Sequence, residues 1–128
     1  MIKPDGPESL LILVPAYNEE GAVAGVVRDV HEAMPGVPVL VADDCSLDGT
    51  RQVAIAAGAR VLSLPHHLGL GGCVQAGYKM AYDLGFEYVI RVDGDGQHDP
   101  KFIPRIFETL KSSNCQMVIG SRFIGGEG

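Results

Sequence analysis

No apolar run in this 128-residue sequence approaches the roughly 20 residues that a membrane span requires. Basic charge is scarce as well. Lys and Arg number 10 against 16 Asp and Glu, a net charge of −6. That balance argues against a nucleic-acid binder, because phosphate backbones attract basic faces. Cysteine is sparse: Cys45, Cys73 and Cys115 are isolated, in neither CxxC nor zinc spacing, and read as reduced cytosolic thiols. Residues Met1 to Ser9 lack the basic patch and apolar stretch of a signal peptide. A cytoplasmic location is therefore expected. Neither GxGxxG after the first apolar run nor GxxxxGK[ST] occurs, which removes the dinucleotide and P-loop readings.

What is present suffices for one domain. The chain is 46% hydrophobic, and a domain typically takes about 100–200 residues. Five short apolar runs are bounded by breakers: Leu10 to Val14, Val37 to Ala42, Arg60 to Leu64, Tyr88 to Val92, and Gln116 to Ile119. They read as buried strands. Helical patterns fill the gaps. Asn18 is a candidate cap for a helix from Glu19 to about Met34, with Val23, Val26, Val27 and Val30 on one face. Ser46 or Asp48 would cap a second helix to about Ala57, with Gly58 as its stop. Leu70 to Leu84 gives a third helix ended by Gly85, and Pro100 to about Lys111 a fourth, with proline tolerated near the first turn. Strands alternating with helices imply a mostly parallel sheet covered on both faces. Residues 1–9 are expected to form a flexible N-terminus and residues 10–128 a single domain.

In open parallel sheets, ligands bind beyond the carboxyl ends of the strands. Polar residues collect at every such end here. Pro15-Ala16-Tyr17-Asn18-Glu19-Glu20 follows the first run and Asp43 to Thr50 the second. His66 to Gly72, Asp93 to His98 and Gly120-Ser121-Arg122 follow the others. A single site is the economical reading. Asp93-Gly94-Asp95 places two carboxylates on a glycine-bent loop, with the Gln97 carbonyl and His98 imidazole beyond. Such hard oxygen ligands suit Mg²⁺ or Mn²⁺ beside a phosphate. A plain turn, with each Asp bonded to its own backbone, is the competing reading.

Other residues leave two readings open. Asp43 and Asp44 are solvated loop charges, or one of them reads a nucleobase N–H. Tyr17 is packing, or it stacks on a base. The glycines from Gly69 to Gly72 meet an anion at a helix start, or allow close helix–strand packing. His66 and His67 are adjacent at a strand end and would seldom point together, so metal ligation by the pair is not expected. Arg122 is the one base in a strand-end loop facing this acidic set, and a phosphate contact is expected of it.

Taken in order, these segments resemble the family 2 glycosyltransferases of the GT-A fold, over residues 10–122. Val14-Pro15-Ala16-Tyr17-Asn18-Glu19 looks like the family's first-strand signature. Val41 to Thr50 (VADDCSLDGT) is similar to its DDGSxDGT segment, and Leu68 to Ala81 to its Gly-rich loop and following helix. Val92 to Asp99 (VDGDGQHD) matches its Asp-x-Asp segment, and Gly120-Ser121-Arg122 its later Gly-Ser-Arg. The Gln-His after Asp-x-Asp is most similar to the dolichyl- or polyprenyl-phosphate sugar transferase branch.

The resemblance implies a Rossmann-like α/β nucleotide-diphospho-sugar transferase fold, truncated at its C-terminal side and lacking the acceptor-binding half. It also implies inverting transfer from a UDP- or GDP-sugar, Mg²⁺ or Mn²⁺, and a lipid-phosphate or glycan acceptor at the inner face of a membrane. Tyr17 would stack on the base, with Pro15, Ala16 and Glu19 lining the nucleotide pocket and Asp44 on the base edge. Asp93 would contact the ribose or the metal, Asp95 and Gln97 would ligate the metal, and Arg122 would meet the diphosphate. No catalytic base is identifiable. Cys45 stands where the family usually has Gly, so that turn must accept a Cβ. A missing half would leave apolar surface exposed, which predicts self-association.

Three readings compete. A non-catalytic nucleotide-sugar binding module would bind without turnover. A sugar-nucleotide pyrophosphorylase would want a basic, Gly-rich loop after the first strand, where Ala16 to Glu20 is acidic and glycine-free. A plain structural domain would make five polar strand ends a coincidence.

Overall fold

The computed structural model describes residues 9–93, 100–113, 117–119 and 122–123. Six strands form one sheet in the order β3-β2-β1-β4-β5-β6. They are β1 (Leu10–Ala16), β2 (Val39–Asp43), β3 (Arg60–Ser63), β4 (Tyr88–Arg91), β5 (Met117–Ile119) and β6 (Arg122–Phe123). The first five run parallel, and β6 pairs antiparallel with β5. The chain steps outward from β1 to β3 and then returns to the other side of β1 as β4. The strand order therefore reverses between β1 and β4.

The helices are α1 (Val23–Ala33), α2 (Thr50–Ala56), α3 (Gly69–Leu84) and α4 (Ile103–Ser113), the last preceded by a 3-10 turn at Pro100–Phe102. Alternation along β1 explains the two-sided core. Leu10, Ile12, Val14 and Ala16 meet the α1, α2 and α4 side, with Val39 and Val41 of β2. Leu11 and Leu13 point the other way, to α3, with Leu40 and Ala42. Both strands are buried at every position, which is why they read as continuous apolar runs. On α1 the expected Val23, Val26, Val27 and Val30 form the buried face. A single close approach seats α3. A Cβ on Gly77 would lie 2.4 Å from Leu13 Cδ1. The helix ends as expected, at Gly85 in the left-handed conformation with φ 91°.

Two expectations change. First, β1 does not stop before Pro15 but runs through it to Ala16. The Leu13 carbonyl accepts the Val92 N–H, and the Ala16 carbonyl accepts the Asp44 N–H. By strand alternation, the N–H that proline lacks would face β4, and β1–β4 pairing ends at Leu13 and Arg91. Pro15 thus costs no ladder bond, because it sits where the two strands part. Second, Asn18 does not cap α1. The helix begins four residues after Glu19, at Val23, with Ala22 as its N-cap and no side-chain cap. Ser9 stands just before β1. It is buried, its carbonyl accepts the Tyr88 N–H and its Oγ accepts the Glu87 N–H. Residues 1–8 lie outside the described residues. Among the described residues, no helix is long and apolar enough to cross a membrane.

Candidate functional site

A cavity of about 360 Å³ opens at the carboxyl ends of β1, β2 and β4, at the point where strand order reverses. That is where doubly wound sheets bind ligands, and the volume is that of a small-molecule pocket. Pro15, Ala16, Tyr17 and Glu19 line it from the β1 end, Asp44 from β2, and Arg91 and Asp93 from β4. His67, Gly69, Leu70 and Cys73 line it from the start of α3.

The first two loops hold each other. Asn18, with φ 53°, donates its N–H to Ser46 Oγ at 2.9 Å and accepts the Leu47 N–H on Oδ1 at 2.8 Å. The Glu19 N–H donates to Thr50 Oγ1 at 2.8 Å, and the Glu20 N–H to Asp48 Oδ2 at 3.3 Å. Ser46 is therefore a cross-loop acceptor and not a helix cap. Asp48 lies one residue before Gly49, the N-cap of α2. Its Oδ1 accepts the Thr50 N–H at 2.9 Å and also touches Thr50 Oγ1. These bonds from Thr50 hold its carboxyl below the usual range. Cys45 turns with φ 62°, so the loop does carry a Cβ through a left-handed position.

Asp43 and Asp44 are not solvated charges: both are buried. Asp43 Oδ1 accepts the Ser46 N–H at 3.2 Å. The Asp44 carboxylate accepts the N–H groups of Leu68 at 2.8 Å and Gly69 at 2.9 Å, and lies 2.8 Å from His67 Nδ1. Leu68 is the N-cap of α3 and offers no side-chain cap of its own. A carboxylate from the neighbouring strand caps this helix instead, where its charge also suits the helix dipole. A carboxylate has about four acceptor positions, so Asp44 keeps capacity toward the pocket it lines. The ring of Tyr17 rests 4.2 Å from that of His67, centroid to centroid.

On the β4 side, Arg91 donates from Nε and Nη2 to Asp93 Oδ1 at 3.1 and 3.0 Å. Cys73 is buried and donates to the Ala42 carbonyl at 3.2 Å. Burial, helped by the Asp44 charge, pushes its thiol up to about 11. Gly69, with φ 82°, faces open space where a Cβ would meet nothing within 4 Å. Its edge of the pocket is thus bare backbone.

Of the residues singled out in the sequence, Pro15, Ala16, Tyr17, Glu19, Asp44 and Asp93 line this one cavity. Asp95, Gln97 and His98 lie outside the described residues, and for Arg122 only the strand backbone is described. Among the described residues, no three potential ligands cluster around a metal position. Asp93 sets one carboxylate oxygen donor of the kind a hard divalent cation takes on the cavity wall. One wall residue, Arg91, was not expected from the sequence. Arg91 is a base inside β4 and not in a loop. Its signal was a charged residue in the otherwise apolar run Tyr88 to Val92. His67 serves Asp44 and Tyr17.

Such a crevice at the switch point of an open α/β sheet places the chain in the class of doubly wound proteins that bind their ligands there. The pattern of Glycosyl transferase family 2 matches residues 11–128, and the chain belongs to that family. It is 34% identical over 122 residues to an undecaprenyl-phosphate mannosyltransferase of Micrococcus luteus, covering 91% of this chain and 49% of that protein. It is also 34% identical over 119 residues to protein RfbJ of Shigella flexneri, covering 93% of this chain and 89% of that one. A glucosyl-3-phosphoglycerate synthase from Mycobacterium tuberculosis has been solved with Mn²⁺, UDP and glucosyl-3-phosphoglycerate. It superposes with a TM-score of 0.67 at 26% identity, over 80% of this chain and 39% of that one. The fold is thus GT-A, and the chain spans about half the length of the mannosyltransferase it matches.

Proposed function

We propose that this chain carries the donor side of an inverting, metal-dependent glycosyltransferase. It takes a sugar from a nucleotide-diphospho-sugar and passes it to a polyprenyl-phosphate acceptor. The observation that carries this reading is the convergence of Tyr17, Asp44 and Asp93, from three separate strand ends, on one cavity of nucleotide size. The Micrococcus luteus relative, an undecaprenyl-phosphate mannosyltransferase, supports the acceptor class. The Mn²⁺ and UDP of the mycobacterial neighbour support the donor and the metal.

Tyr17 stacks on the base, and Asp44 accepts a base N–H with capacity that the α3 cap leaves over. Pro15, Ala16 and Glu19 form the nucleotide wall, and Arg122 meets the diphosphate. Asp93, Asp95 and Gln97 hold Mg²⁺ or Mn²⁺, which when bound supplies charge neutralisation and Lewis acidity at the leaving diphosphate. The acceptor oxygen bonds to the anomeric carbon as the bond to the nucleoside diphosphate breaks, on the opposite face. A lipid-phosphate oxygen is already anionic and needs little help from a base. The test is calorimetric titration of UDP and GDP into the chain, with and without Mn²⁺, beside Asp95→Ala. Metal-dependent binding of one nucleotide, lost in the variant, is expected. A folded sample that binds neither would refute the reading.

A further inference from the structure

Arg91 ends β4 in register with Leu13 of the central strand. Strand alternation puts it on the same face as Val89, the face that α3 covers. Its side chain is only 13% exposed. A guanidinium in that position needs a partner, and Asp93 provides one. Both contacts from Nε and Nη2 fall on the single oxygen Oδ1. This is not the side-by-side fork in which each carboxylate oxygen meets its own N–H. Of its five N–H donors, those two bonds engage two, and no other described residue takes the rest. The guanidinium meanwhile lines the same cavity as Asp93, Glu19 and Asp44. Among the described residues it is the one permanently charged cation on this wall, which carries three carboxylates.

We propose that Arg91 is an internal counter-cation for Asp93, which a divalent metal displaces and which then turns to the donor diphosphate. The inference rests on the nucleotide-sugar reading of this cavity. Metal arriving alone must take Asp93 from Arg91 and leave a mostly buried guanidinium unpaired. Nucleotide arriving alone finds Arg91 engaged and the carboxylates repelling its phosphates. When both are present, the metal takes Asp93, the diphosphate takes Arg91, and each charge has a partner. Arg91 thereby couples the two binding events, and coupling of this kind is reciprocal.

The test measures Mn²⁺ alone, by the electron paramagnetic resonance signal of the free ion, and UDP or GDP at saturating Mn²⁺, by calorimetry. Wild type is compared with Arg91→Met, which keeps the volume and drops the charge. Arg91→Met is expected to bind Mn²⁺ about fivefold more tightly and the nucleotide about tenfold more weakly. Arg91→Lys is expected to shift both in the same directions by less, and it decides the matter if the methionine variant does not fold. The opposed signs are diagnostic, since structural damage would weaken both ligands together. Loss of both, or no change in either, while wild type binds Mn²⁺ and nucleotide, overturns the role of Arg91 alone. A folded wild type that takes up no Mn²⁺, with or without nucleotide, overturns the metal-dependent reading and this inference with it.

Discussion

Replacing Asp44 probes the hinge between fold and site. Its carboxylate is buried and receives the Leu68 and Gly69 N–H groups at 2.8 and 2.9 Å. Hydrogen bonds to a charged group contribute about 1.5–3 kcal/mol each. Asp44→Asn keeps one acceptor oxygen and turns an NH₂ toward the other N–H, so one bond is lost and one donor faces a donor. The expected loss is about 2 kcal/mol. Asp44→Ala loses both bonds. Water reaches part of the gap, because both bonds are only part-buried, and the expected loss is about 2–4 kcal/mol. Urea unfolding followed by far-ultraviolet circular dichroism reads this as a fall in midpoint of about 1 M for the asparagine variant. Hydrogen exchange should localise the damage, with the amides of Leu68 and Gly69 losing protection while those of β1 keep theirs. An Asp44→Asn protein within about 0.5 kcal/mol of wild type, with those two amides still protected, would refute the remote cap.

Three further outcomes are expected. Gly77→Ala adds a Cβ 2.4 Å from Leu13 Cδ1 and should cost about 1–3 kcal/mol despite the better helix propensity of alanine. Gly25→Ala in α1 meets nothing within 4 Å and should stabilise by up to about 1 kcal/mol; thermal melts of the pair check both signs. Cys73, its thiol raised to about 11 by burial, should resist alkylation at pH 8 in the folded chain and label readily in urea. A folded value above the ordinary 9.0 means the unfolded chain loses its proton first, so this group's contribution is intact below pH 9 and lost as pH rises toward 11. Rapid labelling of Cys73 under native conditions would contradict that environment.

The strands were legible because their signal is local. Leu10 to Val14 and Tyr88 to Val92 are apolar whichever neighbours they find, and their polar ends locate the cavity by the topology of parallel sheets. What stayed hidden depends on distant partners. Asn18 looks like a helix cap by its neighbours, but Ser46 and Leu47 claim its backbone and side chain. Asp44 looks like a loop charge until α3, whose first residues lie 24 and 25 positions on, needs a cap. Pro15 breaks a strand in isolation and is harmless where the sheet opens. Arg91 gives little local signal, being a single charge inside the apolar run Tyr88 to Val92. Ser46 and Asp48 look like caps for the second helix, whereas Ser46, Asp48 and Thr50 bond to the backbone of residues 18–20 and shape the first loop.

The central strand meets β4 only across a long stretch of chain: Ser9 and Glu87, which join beside that pairing, are 78 residues apart. Residues Pro15 to Glu19 and Asp44 can hold their places through β2 alone, whereas Arg91 and Asp93 join the cavity only when that loop closes. A ligand gripping both halves therefore favours the closed chain by mass action, by about 2.7 kcal/mol at a concentration one hundred times its Kd. The attachment of β4 and the occupancy of the cavity are in this sense one equilibrium, and the melting temperature of the chain should climb with the concentration of any ligand that spans the two halves.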